Sequence, residues 1–153
     1  MLLVVGLTLA ADMALVNKYA PIWVYSTNTK YFHTSPLNLY QAITAPNKKE
    51  LYFDKEKLTK SDKNVLFEYL TREDCPNLLA DVVINYWRYH MKQDSCFLSF
   101  GSHWHDWERI SVLIKNGTMI AVTFHQHSGH YTKFMDEVQL YDFHPVVYVS
   151  ETN

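Results

Sequence analysis

The sequence predicts a mostly β fold, an antiparallel β-sandwich with one or two short helices, and three observations predict it. Aromatic residues make up 15% of the chain while glycines number only four, and such side chains suit a pleated, half-buried surface. β-Branched and aromatic runs recur, most plainly VVINYWRYH at 82–90, where Asn85 and Arg88 weaken a helix-core reading. The pair Asn116-Gly117 separates WERISVLIK from TMIAVTFHQ, the strongest two-residue hairpin signal. A length of 153 residues and a hydrophobic content of 48% fit one domain with a full core.

At the N-terminus, 2–11 (LLVVGLTLAA) is an apolar run followed by small residues. It reads as a signal peptide over 1–14 without the usual positive n-region, or as a buried first strand. Asp12 ends the run too early for a membrane span. The single sandwich domain then covers 15–153. Residues 19–40 read as extended segments and turns, and the Lys-rich 44–60 as an exposed loop or hairpin. Ser61 can cap a short helix with Val65, Leu66, Tyr69 and Leu70 at helical spacing, ending near 74–76. Cys75 and Cys96 stand alone and make no zinc pattern; they form one disulfide if the protein is secreted, or are small core residues if it is cytoplasmic. A net charge of -2 gives no general attraction to nucleic acid.

The hairpin carries the chemistry. A two-residue turn sets Lys115 against Thr118, so Glu108 is expected opposite His125 and Asp106 opposite His127. All four would then share one face with Ile110, Val112 and Ile114. Two carboxylates on a core face are costly to bury without compensation, and a cation supplies it. His103 is expected to fold in from the preceding loop, with Asp94 returning as a further ligand. Asp94, His103, Asp106 and Glu108 form an oxygen-rich set that suits magnesium, calcium or manganese better than zinc. His105, His125 and His127 are candidates to hold metal-bound waters. The bland alternative pairs Glu108 with Arg109 or Lys115 and leaves the histidines as core or rim residues. HExxH, G-x-S-x-G, P-loop and G-x-G-x-x-G motifs do not occur, and H-x-H-x-D-H fails at Trp107 and Glu108.

The segment Ser102-His103-Trp104-His105-Asp106-Trp107-Glu108, with Asp94-Ser95 upstream, resembles the G-H-R-H-D-W-E heptapeptide of the necrosis- and ethylene-inducing-peptide-like cytolysins. The resemblance implies a β-sandwich with one divalent ion near its rim, held at Asp94, His103, Asp106 and Glu108, with His127 and His144 as support residues. Trp104 stands where the heptapeptide has arginine, Ser102 where it has its first glycine, and one extra residue separates Asp94 from His103. Tyr19-Ala20-Pro21, 31–36, 101–108, 126–129 and 145–149 are similar to segments of the vacuolar protein sorting-associated family of the sixty-two type. Both families usually continue beyond the late strand, so a C-terminally truncated or minimal domain is expected.

These readings converge on a secreted, metal-dependent binding protein resembling a cytolysin. It would recognise a glycan or lipid head group at a membrane surface, with Trp104 stacking on the ligand. The rivals are a metal-dependent hydrolase with His105 or His127 as general base, and an intracellular sorting-associated module with a structural ion.

Overall fold

The computed structural model describes residues 11–25, 66–93, 103–126 and 129–149, with the backbone alone for 91–93 and 103–105. The expected loop at 44–60, Asp94, Cys96 and His127 lie outside the described residues, as does the apolar run before Ala11. Among the described residues the first element is α1 (Met13–Lys18), whose N-cap Asp12 accepts from the backbone N–H groups of Ala14 at 2.9 Å and Leu15 at 3.2 Å. Such a cap satisfies donors that the first turn leaves without helical partners. Strands follow: β1 (Ile22–Tyr25), β2 (Leu66–Thr71), β3 (Val82–Gln93), β4 (His103–Lys115), β5 (Thr118–Gln126), β6 (Gly129–Phe134), β7 (Leu140–Tyr141) and β8 (His144–Val149).

The strands form two sheets, β2-β3-β4-β5-β6 and β1-β8-β7. The five-stranded sheet is antiparallel throughout. In the small sheet β1 runs parallel to β8, a local exception to the antiparallel expectation. The core joins Ile84 and Tyr86 of β3, Ile110, Val112 and Ile114 of β4, and Met119 and Val122 of β5 to Val147 of β8 and Val16 of α1. Tyr86 donates its hydroxyl hydrogen to the Val16 carbonyl at 2.7 Å, and the Tyr19 hydroxyl donates to the Gly117 carbonyl at 3.0 Å. The short helix is thereby fastened to the sheet at its middle and at its C-terminal cap.

The helix expected after Ser61 is instead β2 over its described part, and Ser61 and Val65 lie outside the described residues. Helical spacing of Leu66, Tyr69 and Leu70 competes with a period of two in Phe67-Glu68-Tyr69. The second wins because β3 offers a full ladder from Leu66↔Trp87 to Thr71↔Val82, while Phe67 and Tyr69 both pack against the core.

The β4–β5 hairpin forms where expected, with Asn116 at φ 51 and Gly117 at φ 70, the left-handed pair that a tight two-residue turn requires. Lys115↔Thr118 and Ile114↔Met119 keep the expected register, and a bulge then shifts it, so Leu113 faces Ala121 and Arg109 faces His125. The expected pairing of Glu108 with His125 is therefore corrected by one residue. The reason is burial. Without the extra residue Ile120, Ala121 and Thr123 would meet Val112 and Ile110; with it, Val122 and Phe124 do. Open space surrounds a Cβ built at Gly117, so Gly117→Ala carries only the left-handed backbone penalty. We expect a loss of about 1–2 kcal/mol, measured as a lower urea midpoint at unchanged slope.

Candidate functional site

Along the inner face of the five-stranded sheet, β3 and β4 pair Ile84 with Val112 and Tyr86 with Ile110, then Arg88 with Glu108 and His90 with Asp106. The apolar stripe thus becomes charged within one strand position. Asp106 is 8% exposed and His90 6%. Across the sandwich, β1 lays Trp23 under the Arg88 guanidinium, 5.0 Å from its centroid, and Tyr25 beside the His90 ring at 5.9 Å. Burial lowers the pKa of Arg88, and the nearby Tyr25 works against that shift.

Asp106 and Glu108 are thus brought to one face, as their spacing in a strand predicts. Among the described residues, no three His, Cys, Asp or Glu side chains come together in a metal-holding group. His103 is the first residue of β4 and pairs with Gln93, so it is a strand residue and not part of the preceding loop. Trp104 pairs with Lys92, and His105 lies between Trp104 and Asp106 in β4. Arg88 and His90 are the residues that sequence reasoning missed. Their signal is an i, i+2 spacing on β3 that matches that of Asp106 and Glu108, legible only once the β3–β4 register is known.

His144 and His125 lie elsewhere. The Nδ1 of His144 is 2.7 Å from the Ala20 carbonyl, where it ties β8 to the α1–β1 connection. His125 sits on the outer face of the sheet, opposite to Asp106 and Glu108, because the bulge reverses its side. Its Nε2 is 2.9 Å from the Ser111 hydroxyl and its Nδ1 is 3.5 Å from an Arg109 Nη. Arg109 therefore faces away from Glu108, and the alternative pairing of those two does not form.

The Ser111–His125 contact has the look of a nucleophile and base, but its direction is the reverse. Asn85 donates its amide hydrogen to the Glu68 carboxylate at 2.7 Å, which fixes the amide orientation. Ser111 must then donate to the Asn85 oxygen at 2.6 Å. His125 consequently donates from Nε2 to Ser111, leaving Nδ1 as the acceptor that faces Arg109. Burial first, then Arg109 and His130, lower the His125 pKa from the usual 6.5. A depressed imidazole contributes stability that is fully present above 6.5 and is lost as pH falls through the lower folded value. We expect this component of acid destabilisation to vanish in His125→Gln, read from melting temperatures between pH 7.5 and 5.

No family model matches the sequence, and no curated protein matches it. Solved structures do. One described as a toxin fold for microbial attack and plant defense aligns at TM-score 0.60 and 18% identity, covering 89% of this chain and 61% of that one. The chain has this toxin fold. NLPPya in complex with glucosamine aligns at TM-score 0.57 and 19% identity, covering 89% of this chain and 60% of the other. Necrosis and Ethylene inducing Protein 2, from the causal agent of cocoa's witches' broom disease, aligns at 0.53 and 15% over 90% and 61%. The chain spans about three fifths of the length of each of these toxin-fold relatives. The similarity to the sorting-associated family has no counterpart among them.

Proposed function

We propose that the chain is a cytolysin-like binding protein that recognises a glycan or lipid head group at a membrane surface, through a hard divalent cation at the sandwich rim. The observation that carries this reading is the placement of Asp106 and Glu108 side by side where the core face of β4 turns polar, in a toxin fold. A glucosamine complex of one toxin-fold relative supports a sugar as the ligand class.

The donor set fits a hard ion. Asp106 and Glu108 are carboxylates two positions apart on a strand, and magnesium, calcium or manganese favours such oxygen ligands. Among the described residues, Arg88 lies opposite Glu108 on this face and His90 opposite Asp106. In this reading Asp94 and His103 complete the ligand set, His105 and His127 hold waters, and Trp104 stacks on the sugar. When bound, the ion would supply Lewis-acid contacts to ligand hydroxyls.

Secretion belongs to the same proposal, with one refinement. Cleavage after residue 14 would remove the Asp12 cap and the start of α1. Cleavage that leaves Asp12 keeps the helix and the Val16 carbonyl that Tyr86 uses.

Vesicles containing glycosphingolipid, loaded with a fluorophore, test this function. We expect leakage or binding with magnesium or calcium, a loss of at least tenfold in EDTA, and no turnover of aryl glycosides or phosphoesters. Turnover of such substrates would favour the hydrolase instead. Equal binding in EDTA would contradict the role of the ion.

A further inference from the structure

We propose that the outer face of the five-stranded sheet carries a second binding site, for a tetrahedral oxyanion such as a sulfate or phosphate ester group, formed by Arg109, His125 and His130. It is independent of the cation reading, since it lies on the opposite face from Asp106 and Glu108.

The three residues stand in one line across β4, β5 and β6, paired as Arg109↔His125 and His125↔His130. The two imidazole rings are 5.8 Å apart between centroids, tilted by 33°. The Arg109 guanidinium lies over the Trp87 ring at 5.0 Å and beside His125 Nδ1 at 3.5 Å. Among the described residues no carboxylate lies within ion-pair distance of it. A half-buried guanidinium presents five donors and no acceptor. Its fork suits the oxygens of an anion, and among the described residues the Trp87 face and one long contact to His125 Nδ1 engage only part of that capacity.

The hydrogen-bond chain decides which imidazole atom is left for the ligand. Ser111 holds Nε2, so Nδ1 is the His125 ring atom that lies beside Arg109. An anion seated there would draw a proton onto Nδ1, making two adjacent cationic donors that share one acceptor. His130, exposed on the edge strand, adds a third donor from the other side. Among the described residues, the titratable and charged groups facing His125 are Arg109 and His130, with Glu68 beyond Ser111 and Asn85. The balance beside the ring is positive, and Glu68 is already engaged by Asn85. Three donors spread over three strands match a tetrahedral group, whose oxygens point apart. The indole of Trp107, 42% exposed and edge-on to Trp87 at 6.2 Å, borders the same face and offers an apolar surface to whatever bears the anion.

Titration of the whole chain with sodium sulfate at pH 5.5 and 7.5, against sodium chloride of equal ionic strength, tests the site. Sulfate does not titrate in this range, so any pH dependence belongs to the protein. Imidazole NMR resonances and the melting temperature are the readouts. We expect saturable shifts of His125 and His130, at least tenfold tighter binding at the lower pH, loss in Arg109→Gln and weakening in His130→Gln. His130 is exposed and its replacement leaves folding intact. Asp106→Ala should bind sulfate as wild type does, which separates this site from the cation site. Inorganic phosphate and glucose 6-phosphate in place of sulfate distinguish a free ion from an ester group. Shifts that chloride reproduces, that do not saturate, or that persist in Arg109→Gln would overturn the proposal.

Discussion

Tyr86→Ala is expected to lower the folding free energy by about 3–5 kcal/mol, the range for emptying an aromatic site in a packed core. Tyr86 is 1% exposed and touches the centre of the inner face. Its hydroxyl is also the bond that holds α1, through the Val16 carbonyl at 2.7 Å. Burial raises the phenol pKa, so the group remains a donor at any working pH. Tyr86→Phe keeps the volume and removes that bond, leaving a buried carbonyl without its donor at a cost of about 1–3 kcal/mol. Urea unfolding should rank wild type above Phe and Phe above Ala. Equal effects of the two variants would mean that the helix contact, and not the ring, dominates.

Saturating hard cation is expected to stabilise EDTA-stripped protein by about 2.7 kcal/mol at a hundredfold excess over its dissociation constant. Asp106→Ala should gain nothing under the same conditions. The readout is the gain on adding cation, measured for each protein from its own cation-free melting temperature. This pattern distinguishes a lost ligand from a damaged core, since core damage would lower the melting temperature with and without cation alike. Melting curves with magnesium, calcium, manganese and zinc would also rank the ions. Zinc is expected to be the weakest match to an oxygen-rich set.

Much of the sandwich is legible in the residues. The β-branched and aromatic run at 82–90 and the Asn116-Gly117 turn are local signals, and both appear as expected in β3 and the β4–β5 hairpin. What failed depends on contacts between distant segments. The bulge at Ile120 follows from the competition of Val122 and Phe124 with Ala121 and Thr123 for the core, which no window of a few residues displays. The reversal of His125 follows from it. At β2, helical and strand periods coexist over six residues, and only the ladder offered by β3 separates them.

The candidate site divides in the same way. Asp106 and Glu108 lie within one strand, so their shared face follows from a period of two. Arg88 and His90 reach them across strands, and their approach depends on the length and path of the β3–β4 connection. His144 was linked to the site by resemblance, yet it sits at the Ala20 carbonyl.

The most direct test of the rim cation is its stoichiometry. EDTA-stripped wild type and Asp106→Ala would be dialysed to equilibrium against magnesium, calcium or manganese, and protein-bound metal measured by elemental analysis. The account predicts about one equivalent of a hard divalent ion on wild type and a large loss of it on Asp106→Ala, as expected for a four-residue hard-ion site that loses one carboxylate. Metal-free wild type, or undiminished metal on the variant, would contradict it.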